Sequence, residues 1–285
     1  MLTNSNKAVE ACVRSARPQS LCLSISNIIE RVGKIVNYIN DIKRMGMRMR
    51  SILGMSSSPV GVRLLDANEK VPNAEILEKH RYCQALMKAR HGHNVILNRD
   101  NVSCPAAANA FGFRPLPDGL SSGNGLVGFG IVSGAKVGQK MFQHMPALKP
   151  GQVKQVHLYP LELSEYVPDI VVVEDEVEKL MWLVLANLHA TGGERVMSST
   201  AVLQAACVDA TVIPYLENRM NFSYGCYGCR DATDIGNNET VLGFPAALLS
   251  SIMENLEYLN KKAMPASRSK NALASMQKKG SKDQE

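Results

Sequence analysis

No apolar stretch in these 285 residues approaches the roughly 18 needed to cross a bilayer, which leaves a helical membrane span without a candidate. The opening Met1-Leu2-Thr3-Asn4-Ser5-Asn6 lacks the charged-then-apolar layout of a secretory signal, so a cytoplasmic location is expected. Aromatics are scarce at 5%, while 14 Met and 21 Gly are generous. The glycine-rich run Gly119-Leu120-Ser121-Ser122-Gly123-Asn124-Gly125 has neither the lysine and spacing of a phosphate cradle nor a GxGxxG placement after a strand. It is expected to be a connector. No Ser/His/Asp or paired-carboxylate arrangement stands out. What remains, 45% hydrophobic and 20% charged, is ordinary for a globular chain.

The net charge of +6 is unevenly placed. Residues 1–50 hold 9 Lys/Arg against 3 Asp/Glu, and residues 261–285 hold 7 against 2. The centre, residues 51–260, carries 16 against 21 and is mildly acidic. That argues against a specific nucleic-acid groove in the folded part. The Ser-, Lys- and Ala-rich segment 261–285 is expected to be a disordered basic tail.

Hydrophobic spacing divides the rest. Ile25, Ile28, Val32, Ile35, Ile39 and Ile42 recur at steps of three and four, which predicts an amphipathic helix within residues 1–50, either a coiled-coil partner for a homo-oligomer or a helix lying on its own domain. From Ser56 short β-like runs alternate with helices. Strands are expected at 59–65, 94–97, 125–130, 168–173 and 195–198, and helices at 78–90, after Cys104, at 135–144, 176–189, around 203–210 and after Pro245. The order repeats, with Cys104 aligning with Cys207 and Val127-Gly128-Phe129-Gly130 with Leu242-Gly243-Phe244-Pro245. The fold class read from this is α/β (α+β): two degenerate half-domains, about 56–150 and 151–260, in pseudo-two-fold duplication within residues 51–260.

Seven cysteines, an odd number, do not make a disulfide framework in a cytoplasmic chain. Reduced thiols pack, do redox chemistry or bind metal. Gly225-Cys226-Tyr227-Gly228-Cys229-Arg230 is the informative group, because its glycines allow two thiols three positions apart to face one point. Cys83 and Cys104 complete a candidate set of four thiolates, the shell of a [4Fe–4S] centre or a structural zinc. Cys104 precedes a proline-opened helix, where a thiolate is favoured. Cys207, among alanines, is expected in the core, and Cys12 and Cys22 carry no site argument. His80, with Cys83, His91 and His93, forms a weaker alternative ligand set. Arg81, Arg90, Arg99 and Arg114 are expected on solvated faces, and Asp231 and Asp234 as caps after the CxxC loop.

The chain resembles the domain of unknown function 169 family, found largely in archaea and anaerobic bacteria. The resemblance is carried by Ser58-Pro59-Val60-Gly61-Val62, Arg81-Tyr82-Cys83 with Ala89-Arg90, Val102-Ser103-Cys104-Pro105, Ala206-Cys207-Val208-Asp209-Ala210, and Gly225 through Asp234. It covers about residues 50–260 and implies an α/β domain of a largely anaerobic lineage, which favours iron–sulfur over zinc. The expectation is therefore a metal-centre protein in electron transfer, redox sensing or a cluster-dependent reaction, served by a redox protein partner. A zinc adaptor that oligomerises through its N-terminal helix and a CxxC dithiol oxidoreductase are the alternatives.

Overall fold

A computed structural model describes residues 18–66 and 69–267, with backbone alone for 18–29 and 266–267. Of the expected disordered tail, residues 261–267 are described and largely helical, with Met264 buried, which corrects that expectation there; the rest, and Cys12, lie outside the described residues. Two compact units divide near Asp41. Helix α1 (Pro18–Leu53) begins in the first, where Val32, Ile35 and Val36 are exposed. Its last turns belong to the second unit and bury Ile42, Met49, Ile52 and Leu53. Among the described residues no helix is long and apolar enough to cross a membrane.

The second unit is mixed α/β around one open seven-stranded sheet. Its strands are β1 (Val60–Leu65), β2 (Glu75–Ile76), β3 (Val95–Asn98), β4 (Gln155–Pro160), β5 (Ile170–Glu176), β6 (Asn221–Ser223) and β7 (Glu239–Pro245), in the order β2-β3-β4-β1-β5-β7-β6. Only β2 and β3 run parallel; every other neighbour pair is antiparallel. β1 and β5 lie at the centre, paired through Gly61↔Val171. β1 is flanked by β4 and β3, and β5 by β7 and β6.

β1 and β3 are mostly β-branched and aliphatic residues, and β5 opens on Ile170-Val171-Val172-Val173, as strands favour. Strands β4 and β6 carry buried polar residues, His157 and Asn221, so hydrophobic spacing alone does not reveal them. Alternation sorts the faces. Ile170 and Val172 of β5 join a core with Val60, Val62 and Leu158. That core also takes Tyr82, Leu86 and Ala89 from α2 (Tyr82–Arg90) and Ala107, Ala108 and Ala110 from α3 (Pro105–Ala110). Between α3 and β4 come three short helices, α4 (Asp118–Ser121), α5 (Asn124–Gly128) and α6 (Ala135–Gln143). Helix α7 (Val177–Ala190) packs on β5 and β7 and against α10 (Leu249–Lys262).

Residues 205–212 form a π-helical stretch, continued by α8 (Ile213–Glu217), and helix α9 (Tyr227–Ala232) follows β6. The π-helical stretch lies so close to β7 that a Cβ at Gly243 would meet the Ala210 carbonyl oxygen at 1.8 Å. Only glycine permits this approach.

Three local expectations are corrected. Residues 125–130 are no strand: Asn124–Gly128 is helical, entered through Gly123 at φ +82°, with Leu126 as its buried anchor. Arg195–Ser198 pairs in no sheet, and its neighbours are held by side chains instead, Asn221 Oδ1 accepting from the Ser199 amide at 2.8 Å. Helix α2 starts at Tyr82, because Lys79 adopts φ +53° and His80 forms a β-bridge with Val102. His80 is thereby off the helical face that carries Cys83.

Candidate functional site

Short helices set against the ends of β3 and β6 bring distant thiols together. Cys104 is the N-cap of α3 and Cys226 the N-cap of α9, both with extended backbone. Pro105 at the first helical position of α3 gives up an N–H that would have no helical partner, which fixes where that helix starts. Cys83 lies in the first turn of α2, and Cys207 in the π-helical stretch. A cavity of about 680 Å³ is lined by Cys83, Cys104, Cys207, Cys226 and Cys229 together, all free thiols. The four cysteines singled out in the sequence therefore share one space. Cys207 is buried as expected, yet it reaches this cavity rather than sealed core.

The CxxC segment is helical rather than a loop. Cys226 Sγ lies 2.9 Å from Cys229 Sγ and accepts from the Cys229 amide at 3.2 Å. Hydrogen bonding to Cys229, then burial, pushes the Cys226 thiol up. At Cys229 the hydrogen bond with Cys226 pulls downward, but the Cys83 hydrogen bond and burial outweigh it and the thiol ends up raised. Burial, with the neighbouring Cys104, Cys226 and Cys229, raises Cys207 strongly. Left to themselves these sulfurs are neutral. A buried cation would reverse that preference, since a coordinating thiol gives up its proton. Among the described residues no three His, Cys, Asp or Glu side chains already form a metal site.

The histidines do not converge on the thiols. His80 Nδ1 contacts the Glu78 carbonyl oxygen at 2.6 Å, His91 Nε2 contacts Asp234 Oδ2 at 2.6 Å, and neither His80, His91 nor His93 lines the cavity.

Behind the thiols lies an ion network that the sequence reading missed. Arg90, expected in solvent, is 5% exposed. It pairs with Asp234, and its Nε lies 3.4 Å from Oε2 of the buried Glu174 and its Nη1 3.9 Å from Glu239. Asp234 thus binds Arg90 and His91 instead of capping the CxxC turn. Burial raises Glu174 to about 7 against the pull of Arg90, with Asp234 and Glu239 pushing the same way as burial. The signal for Arg90 was its place at the last turn of an amphipathic helix, but its acidic partners lie 84 to 149 positions further on. Arg81 donates to the Gly228 carbonyl oxygen at 3.0 Å and lies 3.8 Å from Asp231, tying α2 to α9.

A family model, DUF169, described as uncharacterised ArCR, matches residues 48–255. No curated protein and no solved structure matches the chain.

Proposed function

The chain belongs to the DUF169 family, and from the thiol-lined cavity we propose that it holds a thiolate-ligated metal centre, a [4Fe–4S] cluster in preference to zinc. The observation that carries this reading is the meeting of all five cysteines whose side chains are described in one cavity. Cys83, Cys104, Cys226 and Cys229 are the assigned ligands, a shell of four thiolates from three elements. Thiols from four separate stretches of the chain have no packing reason to gather, since a small buried thiol packs equally well anywhere in a core. The centre would serve electron transfer, redox sensing or a reaction at the cluster, in the cytoplasm.

We also infer an internal duplication, with a registration that differs from the one the sequence suggests. The sheet order supports it: β3-β4-β1 on one side of the centre mirrors β6-β7-β5 on the other. His157-Leu158-Tyr159-Pro160 then corresponds to Leu242-Gly243-Phe244-Pro245, each strand ending in proline and running into a 3₁₀ turn. In this registration Cys83 matches Cys207, each on the helical segment before the corresponding strand, β3 in one half and β6 in the other. Cys104 matches Cys226, each the N-cap of the helix after that strand. The thiol set is then two related pairs plus Cys229.

Anaerobic purification with iron, sulfide and zinc analysis tests the centre. Iron, sulfide and broad absorption near roughly 400 nm are expected. Cys226→Ser is expected to remove most of the metal and Cys12→Ser none; equal metal in both variants overturns the ligand assignment. The 2.9 Å approach of Cys226 and Cys229 supports one other reading, a dithiol redox pair. Metal-free protein in which these two form a reversible disulfide would favour it.

A further inference from the structure

The cavity exceeds what a thiol-bound ion requires. Protein interiors hold few voids larger than a water molecule, and structural metal sites are closed. Here about 680 Å³ stands beside the cysteines, within the range of roughly 300–1,000 Å³ usual for small-molecule sites. Apart from the thiols the lining is mainly apolar, chiefly Leu120, Leu126, Phe129, Ile131 and Leu203, with Ser103 and Gln204 as uncharged polar members. Its charged side chains are Arg81 and Asp231, which lie 3.8 Å apart and offset each other, with Arg81 further engaged by Gly228. Nothing there selects a charged ligand.

The apolar wall is an addition to the fold. Residues 111–154 separate α3 from β4, whereas only residues 233–238 separate α9 from β7. The longer connection is built, not slack: Gly123 is packed so tightly that a Cβ would meet the Ala135 carbonyl oxygen at 2.0 Å, and Leu126, Phe142, Leu203 and Ala106 form a small core of their own. Long connections that hold their own structure commonly carry function.

We propose that this cavity binds a neutral, largely apolar small molecule, seated on Leu120, Leu126, Phe129 and Ile131 and touching the thiol wall. The idea that the molecule meets a metal there rests on the metal-centre reading; the binding itself does not.

The test titrates the full chain, metal-loaded and after chelation, with Nile red, a neutral apolar dye, and displaces it with straight-chain 1-alkanols from butanol to decanol. One saturable site is expected, with alkanol affinity rising about fourfold per methylene, the value that about 0.8 kcal/mol per buried CH₂ gives. Phe129→Glu and Ile131→Asp sit at exposed and half-exposed positions, a circular dichroism melt like the parent's is required of each, and each should weaken binding at least tenfold. Val32→Ser with Ile35→Ser, on the exposed part of α1, should leave it unchanged. Absence of a saturable site, unchanged affinity in both cavity variants, or equal loss in the α1 variant overturns the proposal. Dye bound by a chain that never holds metal supports the cavity and sinks the centre. Metal held by a chain that binds no dye does the reverse.

Discussion

Gly243→Ala is the sharpest test of how the thiol-bearing layer is supported. A methyl at position 243 would lie 1.8 Å from the Ala210 oxygen, 2.5 Å from its carbonyl carbon and 2.8 Å from its Cα. All three are backbone atoms of the π-helical stretch, so no side chain can rotate away. Relief requires β7 and residues 205–212 to part by more than about 1 Å, since ordinary carbon contacts begin near 3.5 Å. Overpacking of this kind costs about 1–3 kcal/mol where neighbours yield, and a backbone clash belongs at or above the upper end. Taking about 3 kcal/mol, and about 2–4 °C per kcal/mol for a domain of this size, the melting midpoint should fall by roughly 6–12 °C. Gly128→Ala is the control: a Cβ there meets nothing within 4 Å, and alanine in a helix is worth up to about 1 kcal/mol. Circular dichroism melts of the two variants beside the parent decide the matter. A Gly243→Ala midpoint within about 1 °C of the parent would refute the packing argument.

Glu174 should give stability a measurable pH slope. Its folded pKa, raised chiefly by burial from the ordinary 4.5 to about 7, means the folded chain holds a proton that the unfolded chain has released between those values. Its contribution is therefore fully present below about pH 4.5 and is lost as pH rises through 7, a change of about 3 kcal/mol. Denaturant midpoints for Glu174→Gln should flatten relative to the parent over that window; parallel curves would exclude the assignment. Asp209, raised by burial to about 6, slopes the same way, so the difference between the two proteins is the quantity to read. The N-terminal helix gives a further test, because Ile42 and Met49 are fully buried in the second unit. A chain beginning at residue 42 should melt cooperatively, whereas one beginning at Ser51 forfeits two core side chains worth about 2–5 kcal/mol each. Equal melts would contradict that burial.

The sequence was legible where one physical rule dominates. Val60–Val62 and Ile170–Val173 are apolar because both of their faces are covered, and Pro105 marks a helix start in any context. It was illegible where tertiary contacts decide. Gln155–Pro160 mixes Gln, His and Tyr, since His157 Nε2 finds Asn94 Oδ1 at 2.5 Å across the fold. The glycine-spaced Gly125–Gly130 imitates Leu242–Pro245 in letters, but with no strand partner it turns helical on the anchor Leu126. The site divides the same way. The CxxC pair was plain from local spacing, and Cys104 was reachable from its place before a proline-opened helix, whereas an expected helix over 78–90 put Cys83 in mid-helix with no such signal. Cys207 was hidden because alanine neighbours suggest core, and the π-helical geometry that turns it toward the cavity has no signature in the letters.

The cavity draws its lining from Arg81 through Asp231. During synthesis the sulfurs of Cys83 and Cys104 are therefore made well before Cys226 and Cys229 exist, and the central strand β1 must wait for β4, some ninety residues later, to find its neighbour. Such long-range pairing is slow to form. Any occupant must accordingly be delivered to a nearly finished polypeptide, and the early thiols need a reducing environment for the whole interval between ribosome exit and closure.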